Sequence, residues 1–263
     1  MTEALMTKTL RSVRRLATLL ACTAGFTVGA SAFAAGGAGL QHANVSLDDV
    51  ASMQRGARLF FNYCAGCHSL QYLRYSRIAE DLQLDPKDVQ ANFMFAGGKI
   101  GDHALSTLSA ADGTAWFGKA PPDLSLEARS KGVDWIYTYL KSFHVDPTRP
   151  LGWNNTLFEN ASMPNVLWEL QGVQVLAPKA EAHGDAHEAG AAHAASPFTL
   201  RSPGSQSPEQ FDQTVRDITA FLQYAGEPAA LKRESMGVWV LLYLAFFTFL
   251  AYLLKHEFWK DVH

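Results

Sequence analysis

Apolar residues recur at helical spacing in three segments of this chain. The segments comprise residues 50–61, 133–140 and 211–222. The third has clear ends, because Ser207-Pro208-Glu209 is a typical helix start and Ala225-Gly226-Glu227-Pro228 a typical stop. No stretch shows the sustained alternation of apolar and polar residues that indicates strands. The pattern therefore predicts a mainly α domain with long loops between its helices.

The first predicted helix leads into the part of the chain with the most distinctive chemistry. Ser46 and Asp49 have the spacing of a capping box at its start. Its apolar stripe is typical of ordinary core packing. We expect this packed helix to hold residues 64–68, which follow it, in a fixed position.

A continuous apolar run lies near the C-terminus. Residues 237–254 contain no charged side chain. At about 1.5 Å per residue this run is about 27 Å long, close to the thickness of a hydrocarbon core. A buried core helix is the alternative, but the run is apolar on all sides. The sequence predicts a transmembrane helix over residues 237–254, followed by the tail 255–263.

The N-terminus has the composition of a secretory signal. Basic residues precede the apolar stretch 16–29, and small residues in 30–34 match the spacing of a signal peptidase site. We predict that residues 1–34 are a cleaved signal peptide. An uncleaved anchor and a lipoprotein anchored through Cys22 are the alternatives, but the apolar run is short for both. Export would place a domain of residues 35–236 in the periplasm and the C-terminal tail in the cytoplasm.

Composition and net charge limit the classes of partner that this chain can be expected to bind. The 263 residues suit one globular domain with appendages. The net charge of -3 at pH 7, without a basic run beyond the N-terminus, argues against nucleic acid as the main partner. An acidic cluster could attract a basic protein, although such clusters are usually solvated faces. Its members are Glu80, Asp81, Asp85 and Asp88.

Residues 177–207 form an Ala-, Gly-, Ser- and Pro-rich segment. It contains His183, His187 and His193, and the first two stand at a spacing that could bind a metal on a helix. A low-complexity solvated insertion is the favoured interpretation.

The cysteines point to a covalently bound haem. Cys22 lies in the predicted signal, which leaves Cys64 and Cys67. Two cysteines at this spacing could form a redox dithiol, half a zinc site or two thioether anchors. His68 follows the second one at once, which completes the Cys-x-x-Cys-His pattern of haem attachment. The pattern occurs by chance in such a chain on the order of once in a thousand.

His68 would bind the iron from one side, so a ligand for the other side must lie elsewhere. Met94 and Met163 remain after the methionines in the signal, on the first helix and at the membrane border are set aside. Met94 lies between two phenylalanines, as a core residue would. Pro164 favours an extended loop conformation for Met163. His103 and His144 are the alternatives that are not methionines.

From about Leu47 to its end the chain resembles the cytochrome c1 family in its bacterial form. This family supplies the haem subunit of the quinol:cytochrome c oxidoreductase (bc1) complex. The resemblance is carried by CAGCHSLQYLRY, GKAPPDLSLEARS, the Met163 loop, AFLQYAGEP and KRESMG. CAGCH alone indicates only a c-type cytochrome. PPDLS followed by Arg129, together with FLQYAGEP before a membrane anchor, is much more specific.

The resemblance implies a fold and a set of site residues. The fold is that of a c-type cytochrome, mainly α, with long haem-wrapping loops and one C-terminal transmembrane helix. The site is one covalent haem c with Met163 as the sixth ligand, Pro121 and Pro122 against the haem, and Arg129 near a propionate. Some family members also have a disulfide in the haem domain, which this chain cannot form with only its two motif cysteines left.

The resemblance also implies a function and partners. Single electrons would pass from the Rieske iron–sulfur protein through the haem to a soluble c-type cytochrome, while cytochrome b oxidises quinol. The complex would be dimeric and would lie in the bacterial inner membrane, with one span of this chain in contact with lipid. Two alternatives are an unrelated anchored c-type cytochrome, which would not co-purify with cytochrome b, and a haem sensor, which would bind carbon monoxide when reduced.

Overall fold

The computed structural model describes residues 39–177 and 197–260. The predicted signal peptide, 1–34, lies outside these residues, as do positions 178–196 of the predicted insertion. The helices in the described part are α1 (Val50–Tyr63), α2 (Tyr75–Asp81), α3 (Pro86–Phe93), α4 (Ala110–Phe117), α5 (Glu127–Ser130), α6 (Val133–Lys141), α7 (Trp168–Gln171), α8 (Pro208–Gly226) and α9 (Ala230–Phe258). The strands are β1 (Leu70–Arg74), β2 (His103–Ala104), β3 (Phe143–Val145), β4 (Trp153–Asn155), β5 (Gly172–Leu176) and β6 (Phe198–Pro203).

Helices α1 and α8 form the central packing contact of the domain. The ring of Phe221 on α8 lies 5.5 Å from that of Phe60 and 6.1 Å from that of Phe61. Gly56 permits the close approach, since a Cβ atom there would lie 1.9 Å from the carbonyl oxygen of Asp217. The apolar faces predicted from the sequence therefore pack against each other and place the end of α1, where the haem motif begins, on the core.

A buried carboxylate joins the same two helices. Asp217 on α8 is 3 % exposed and accepts a hydrogen bond of 2.6 Å from the Ser52 hydroxyl. The Arg55 guanidinium donates two more, at 2.7 and 2.9 Å. Because a buried charge is costly without partners, these bonds favour one alignment of α1 on α8.

The predicted helix starts are confirmed at α8 and corrected at α1. Ser207 caps α8 and forms a capping box with Gln210. At α1 the predicted capping box is wrong. Asp49 is itself the N-cap and accepts from the Ser52 amide at 2.9 Å, whereas Ser46 accepts from the amide of Asp48.

The described strands form three antiparallel pairs, β1 with β2, β3 with β4 and β5 with β6. Strands β2, β3 and β4 have only two or three residues, which is too short for the alternation by which strands are predicted. Strands β1, β5 and β6 have five or six residues, but buried and exposed side chains do not alternate along them. Strand β6 lies inside the predicted insertion, 177–207, and pairs with β5 just before it, so the prediction of a low-complexity solvated insertion is wrong for residues 198–203. The domain is mainly helical, as predicted.

One described helix is long and apolar enough to cross a membrane. It comprises Ser235–Phe258 within α9, and its side chains are not buried by the rest of the protein. Its 24 residues would be about 36 Å long. The predicted span, 237–254, lies inside it.

Candidate functional site

The Cys-x-x-Cys-His motif is a compact turn at the C-terminal end of α1. The amides of Cys67 and His68 both donate to the Cys64 carbonyl, at 3.0 and 2.9 Å. Cys64 is buried and Cys67 is half-buried. The helix and this turn therefore bring the three side chains of the motif together.

The His68 ring is oriented by a backbone carbonyl. Its Nδ1 atom lies 2.8 Å from the Pro122 oxygen, which can only accept, so Nδ1 carries the proton and donates it. Nε2 makes no hydrogen bond within the described part of the chain and can bind a metal. Burial lowers the pKa of His68, against the opposing effect of the Pro122 bond, so the ring is neutral at physiological pH. A metal-bound histidine ordinarily shows this arrangement.

The segment that carries Pro121 and Pro122 is attached alongside the motif by hydrogen bonds. The Leu124 amide donates to the Ser69 carbonyl at 2.9 Å, and the Gln71 amide donates to the Asp123 carboxylate at 2.8 Å. These bonds hold the Pro122 carbonyl where His68 requires it. The structure thus brings the Pro122 carbonyl to the motif, while the contact of Pro121 and Pro122 with the haem stays a prediction.

The two thiols do not have the properties of a redox pair. Burial, with a smaller contribution from Cys67, raises the pKa of Cys64 to about 12. Burial also raises the pKa of Cys67. A reactive dithiol needs a lowered pKa to supply thiolate. The cysteines therefore fit attachment sites better than a redox dithiol.

The Met163 loop is held at both ends by buried amides. Before it, Asn155 is fully buried, and its Nδ2 atom donates to the Tyr139 carbonyl at 2.8 Å. After it, Asn165 is 2 % exposed and donates to Gln171 at 2.9 Å. The Met163 side chain is half-buried, and the Tyr139 hydroxyl lies 3.7 Å from its sulfur. Sequence reasoning missed Tyr139, whose place in the apolar 133–140 segment indicated only core packing.

The other ligand candidates lie in different surroundings. Met94 is 6 % exposed and belongs to the apolar core, where its neighbour Phe93 stacks on Phe61 at 4.8 Å. His103 and His144 lie in short strands, and each has a buried Nδ1 atom without a hydrogen-bond partner among the described residues. Neither Nδ1 atom thus has a hydrogen bond like the one from His68 to Pro122, although the His144 ring stacks on Phe198 at 6.1 Å.

Arg129 lies on α5 with its side chain exposed. Its Cγ atom would be 3.4 Å from a Cβ atom at Gly226, so its stem passes the end of α8. Within the described residues its guanidinium forms no ion pair. It is therefore available to an anionic group.

The structure contradicts the predicted acidic docking cluster at one member, Asp81. Asp81 has a side chain only 3 % exposed, which is paired with Arg77 and accepts from the Tyr224 hydroxyl at 3.1 Å. Glu80 lies 3.4 Å from Lys232, close to the start of the apolar span. Asp85 caps α3 and Asp88 lies in its first turn. Asp81 therefore stabilises the fold, whereas Glu80, Asp85 and Asp88 are exposed, and their role in docking stays a prediction.

The donor set fits a covalently attached haem. The chain presents two adjacent thiols, a neutral imidazole with a free Nε2, and a thioether in an anchored loop. With the apolar C-terminal helix, these features define the class of protein, a membrane-anchored c-type cytochrome.

Comparison with known proteins gives the family. The model of the Cytochrome C1 family matches residues 42–262. The chain is 50 % identical to cytochrome c1 of Allochromatium vinosum over 230 residues, covering 87 % of this chain and 91 % of that protein. It is 38 % identical to the ammonia monooxygenase gamma subunit of Nitrosomonas europaea, covering 85 % and 89 %. It is 27 % identical to cytochrome c1 of Rhodospirillum rubrum, covering 81 % and 83 %.

The chain belongs to the cytochrome c1 family. Members of this family are the haem-containing electron-transfer subunits of the bc1 complex, an oxidoreductase that also contains cytochrome b and the Rieske protein. That function, the haem c cofactor and the membrane anchor are therefore those of this chain. The resemblance seen in the sequence is confirmed.

Proposed function

We propose that Cys64 and Cys67 attach the haem through thioethers and that His68 and Met163 bind its iron from opposite sides. Each thiol would add across a vinyl group, so the thiol hydrogen ends on carbon and no oxidant is needed. The observation that carries this proposal is the 2.8 Å bond from His68 Nδ1 to the Pro122 carbonyl. It leaves Nε2 unprotonated in a ring that cannot turn away.

The residues around the haem would have separate tasks. Pro121 and Pro122 would lie against one haem face, since hydrogen bonds attach their segment to the residues that follow the haem motif. Arg129 would pair with a propionate, because its guanidinium is exposed and has no partner in the described chain. The hydrogen bonds of the proline segment, the exposure of Arg129 and the family resemblance support these tasks.

The haem supplies one-electron chemistry, and the chain fixes it in place and closes both of its faces. A haem held by His68 and Met163 offers no position for dioxygen, so we do not extend to this chain the oxygenase activity in the name of the Nitrosomonas relative. Electrons would arrive from the Rieske protein and leave to a soluble c-type cytochrome. Because the proposed ligands lie in anchored segments, they would move little when the haem gains or loses an electron.

The predicted signal peptide and the C-terminal span would determine where the protein lies in the cell. Residues 1–34 would be removed on export, and the haem domain, 35–236, would lie in the periplasm. The span over 237–254 would cross the bacterial inner membrane once and leave the tail 255–263 in the cytoplasm. The assembled complex would be a dimer.

Rapid mixing of the purified complex tests the proposed relay. The complex is mixed with excess quinol and an oxidised soluble c-type cytochrome, and both haem spectra are followed. We expect the haem of this chain to be reduced first and the soluble cytochrome next, with no change when carbon monoxide is added. A haem that is reduced but passes no electron to the soluble cytochrome, or that binds carbon monoxide, would contradict the proposal.

A further inference from the structure

We propose that the Tyr139 hydroxyl is a positioning group that donates a hydrogen bond to the Met163 thioether and thereby raises the reduction potential of the haem. The inference rests on the proposed ligand role of Met163. The two groups are 24 residues apart in the chain, and the Tyr139 oxygen lies 3.7 Å from the Met163 sulfur. A thioether sulfur has two lone pairs, so it can accept a hydrogen bond with one while it binds a metal with the other.

The Tyr139 ring is held by aromatic neighbours on two sides. Trp135, one helical turn earlier on α6, stacks on it at 4.9 Å with an angle of 10°. Phe143 meets it edge to face at 5.0 Å. Turning the hydroxyl away from Met163 would break both contacts. The ring is therefore fixed in the direction that places its hydroxyl at the sulfur.

The loop that carries Met163 is bonded to the same end of α6. Asn155 bonds to the Tyr139 carbonyl before the loop, as described above. After the loop, Asn165 bonds to Gln171, which in turn donates to the Lys141 carbonyl at 3.3 Å. The Tyr139 carbonyl also accepts from the Ser142 amide at 3.1 Å, but a carbonyl oxygen has two lone pairs and can accept both bonds. The Met163 loop is thus attached by hydrogen bonds to the helix that carries Tyr139, so the contact between the two side chains is held by the fold.

The hydrogen bond would act on the iron through the sulfur. The positive end of the O–H dipole points at the ligand and withdraws electron density from it, which disfavours ferric iron relative to ferrous iron. Only the difference in strength of this bond between the two oxidation states shifts the potential, so its whole net value, a factor of about two to ten in an equilibrium, is the upper limit. For a one-electron couple this factor converts to about 20 to 60 mV.

The test removes the hydroxyl and keeps the ring. Tyr139→Phe in the purified complex should lower the midpoint potential of this haem and shift the near-infrared sulfur-to-iron charge-transfer band of the oxidised protein. Tyr137→Phe is the matched control, because it removes a hydroxyl from the same helix that bonds instead to Asp212. We expect the control to keep the parent potential and band.

A double-mutant cycle with Met163→Leu shows whether Tyr139 acts through the sulfur. The shift caused by Tyr139→Phe should vanish in the Met163→Leu background, where no sulfur remains. A Tyr139→Phe protein with the parent potential and band would overturn the inference, and so would an equal shift in both backgrounds. A charge-transfer band that survives Met163→Leu would instead overturn the ligand assignment on which the inference rests.

Discussion

Replacing Gly56 with alanine tests the contact that positions the haem motif. The added Cβ atom would lie 1.9 Å from the Asp217 carbonyl oxygen and 2.8 Å from the Phe221 Cβ atom. Real Cβ atoms essentially never approach closer than 3.0 Å, so α1 and α8 would have to separate by about 1 Å. The obstacle is backbone and cannot rotate away. The separation would also stretch the bonds from Ser52 and Arg55 to the buried Asp217 carboxylate.

The expected loss of stability is about 3 kcal/mol. Overpacking typically costs 1–3 kcal/mol, and weakened hydrogen bonds to a buried charge add about 1–2 kcal/mol more. The higher helix propensity of alanine offsets about 1 kcal/mol. For a domain of this size, such a loss lowers the melting temperature by about 6–12 °C.

Thermal unfolding of the full chain in detergent, followed by far-ultraviolet circular dichroism, measures the effect. Gly101→Ala is the control, since a Cβ atom at Gly101 would meet nothing within 4 Å. The control should melt with the parent protein. If Gly56→Ala also melts with the parent, the close α1–α8 contact does not limit stability and the reasoning is refuted.

Three further predictions concern attachment, anchoring and pH. The double substitution Cys64→Ala and Cys67→Ala should abolish haem staining on a denaturing gel, because no other cysteine remains after signal cleavage; persistent staining would refute the motif assignment. Truncation after Glu234 should give a soluble, haem-loaded protein in the periplasmic fraction, whereas membrane fractionation without the other subunits would indicate an uncleaved N-terminal anchor. Partial burial raises the pKa of Asp212, but hydrogen bonds from Lys141, Tyr137 and Arg216 outweigh it and lower the pKa to about 2. Asp212→Asn should therefore be less stable than the parent protein in urea at neutral pH, and the difference should shrink as pH falls from about 4 to about 2, where the wild-type carboxylate takes up its proton; a constant difference would exclude this linkage.

The elements that could be predicted from the sequence are those set by local chemistry. The start of α8 depends on Ser207 and Pro208, which act within one turn, and its prediction is confirmed. The start of α1 offered two side chains three residues apart, Ser46 and Asp49. Both can accept from a backbone amide, so sequence spacing alone did not decide between them.

Features that depend on distant residues could not be predicted in the same way. The burial of Asp81 depends on Tyr224, far along the chain, so a solvated acidic cluster was the natural expectation. The contact of Tyr139 with Met163 likewise requires the amide bonds that attach the loop to α6. The haem motif, by contrast, holds its chemistry within five residues and was evident from the sequence.

The central claim is that the iron is bound by Met163 opposite His68, and a redox titration of matched variants tests it most directly. A thioether stabilises ferrous iron, so Met163→Leu should lower the midpoint potential substantially and let the reduced haem bind carbon monoxide. Met94→Leu, a change of similar size in the core, should keep the parent potential and stay closed to carbon monoxide. If instead Met94→Leu lowers the potential and opens the haem while Met163→Leu does neither, the claim is contradicted and the iron is bound by Met94.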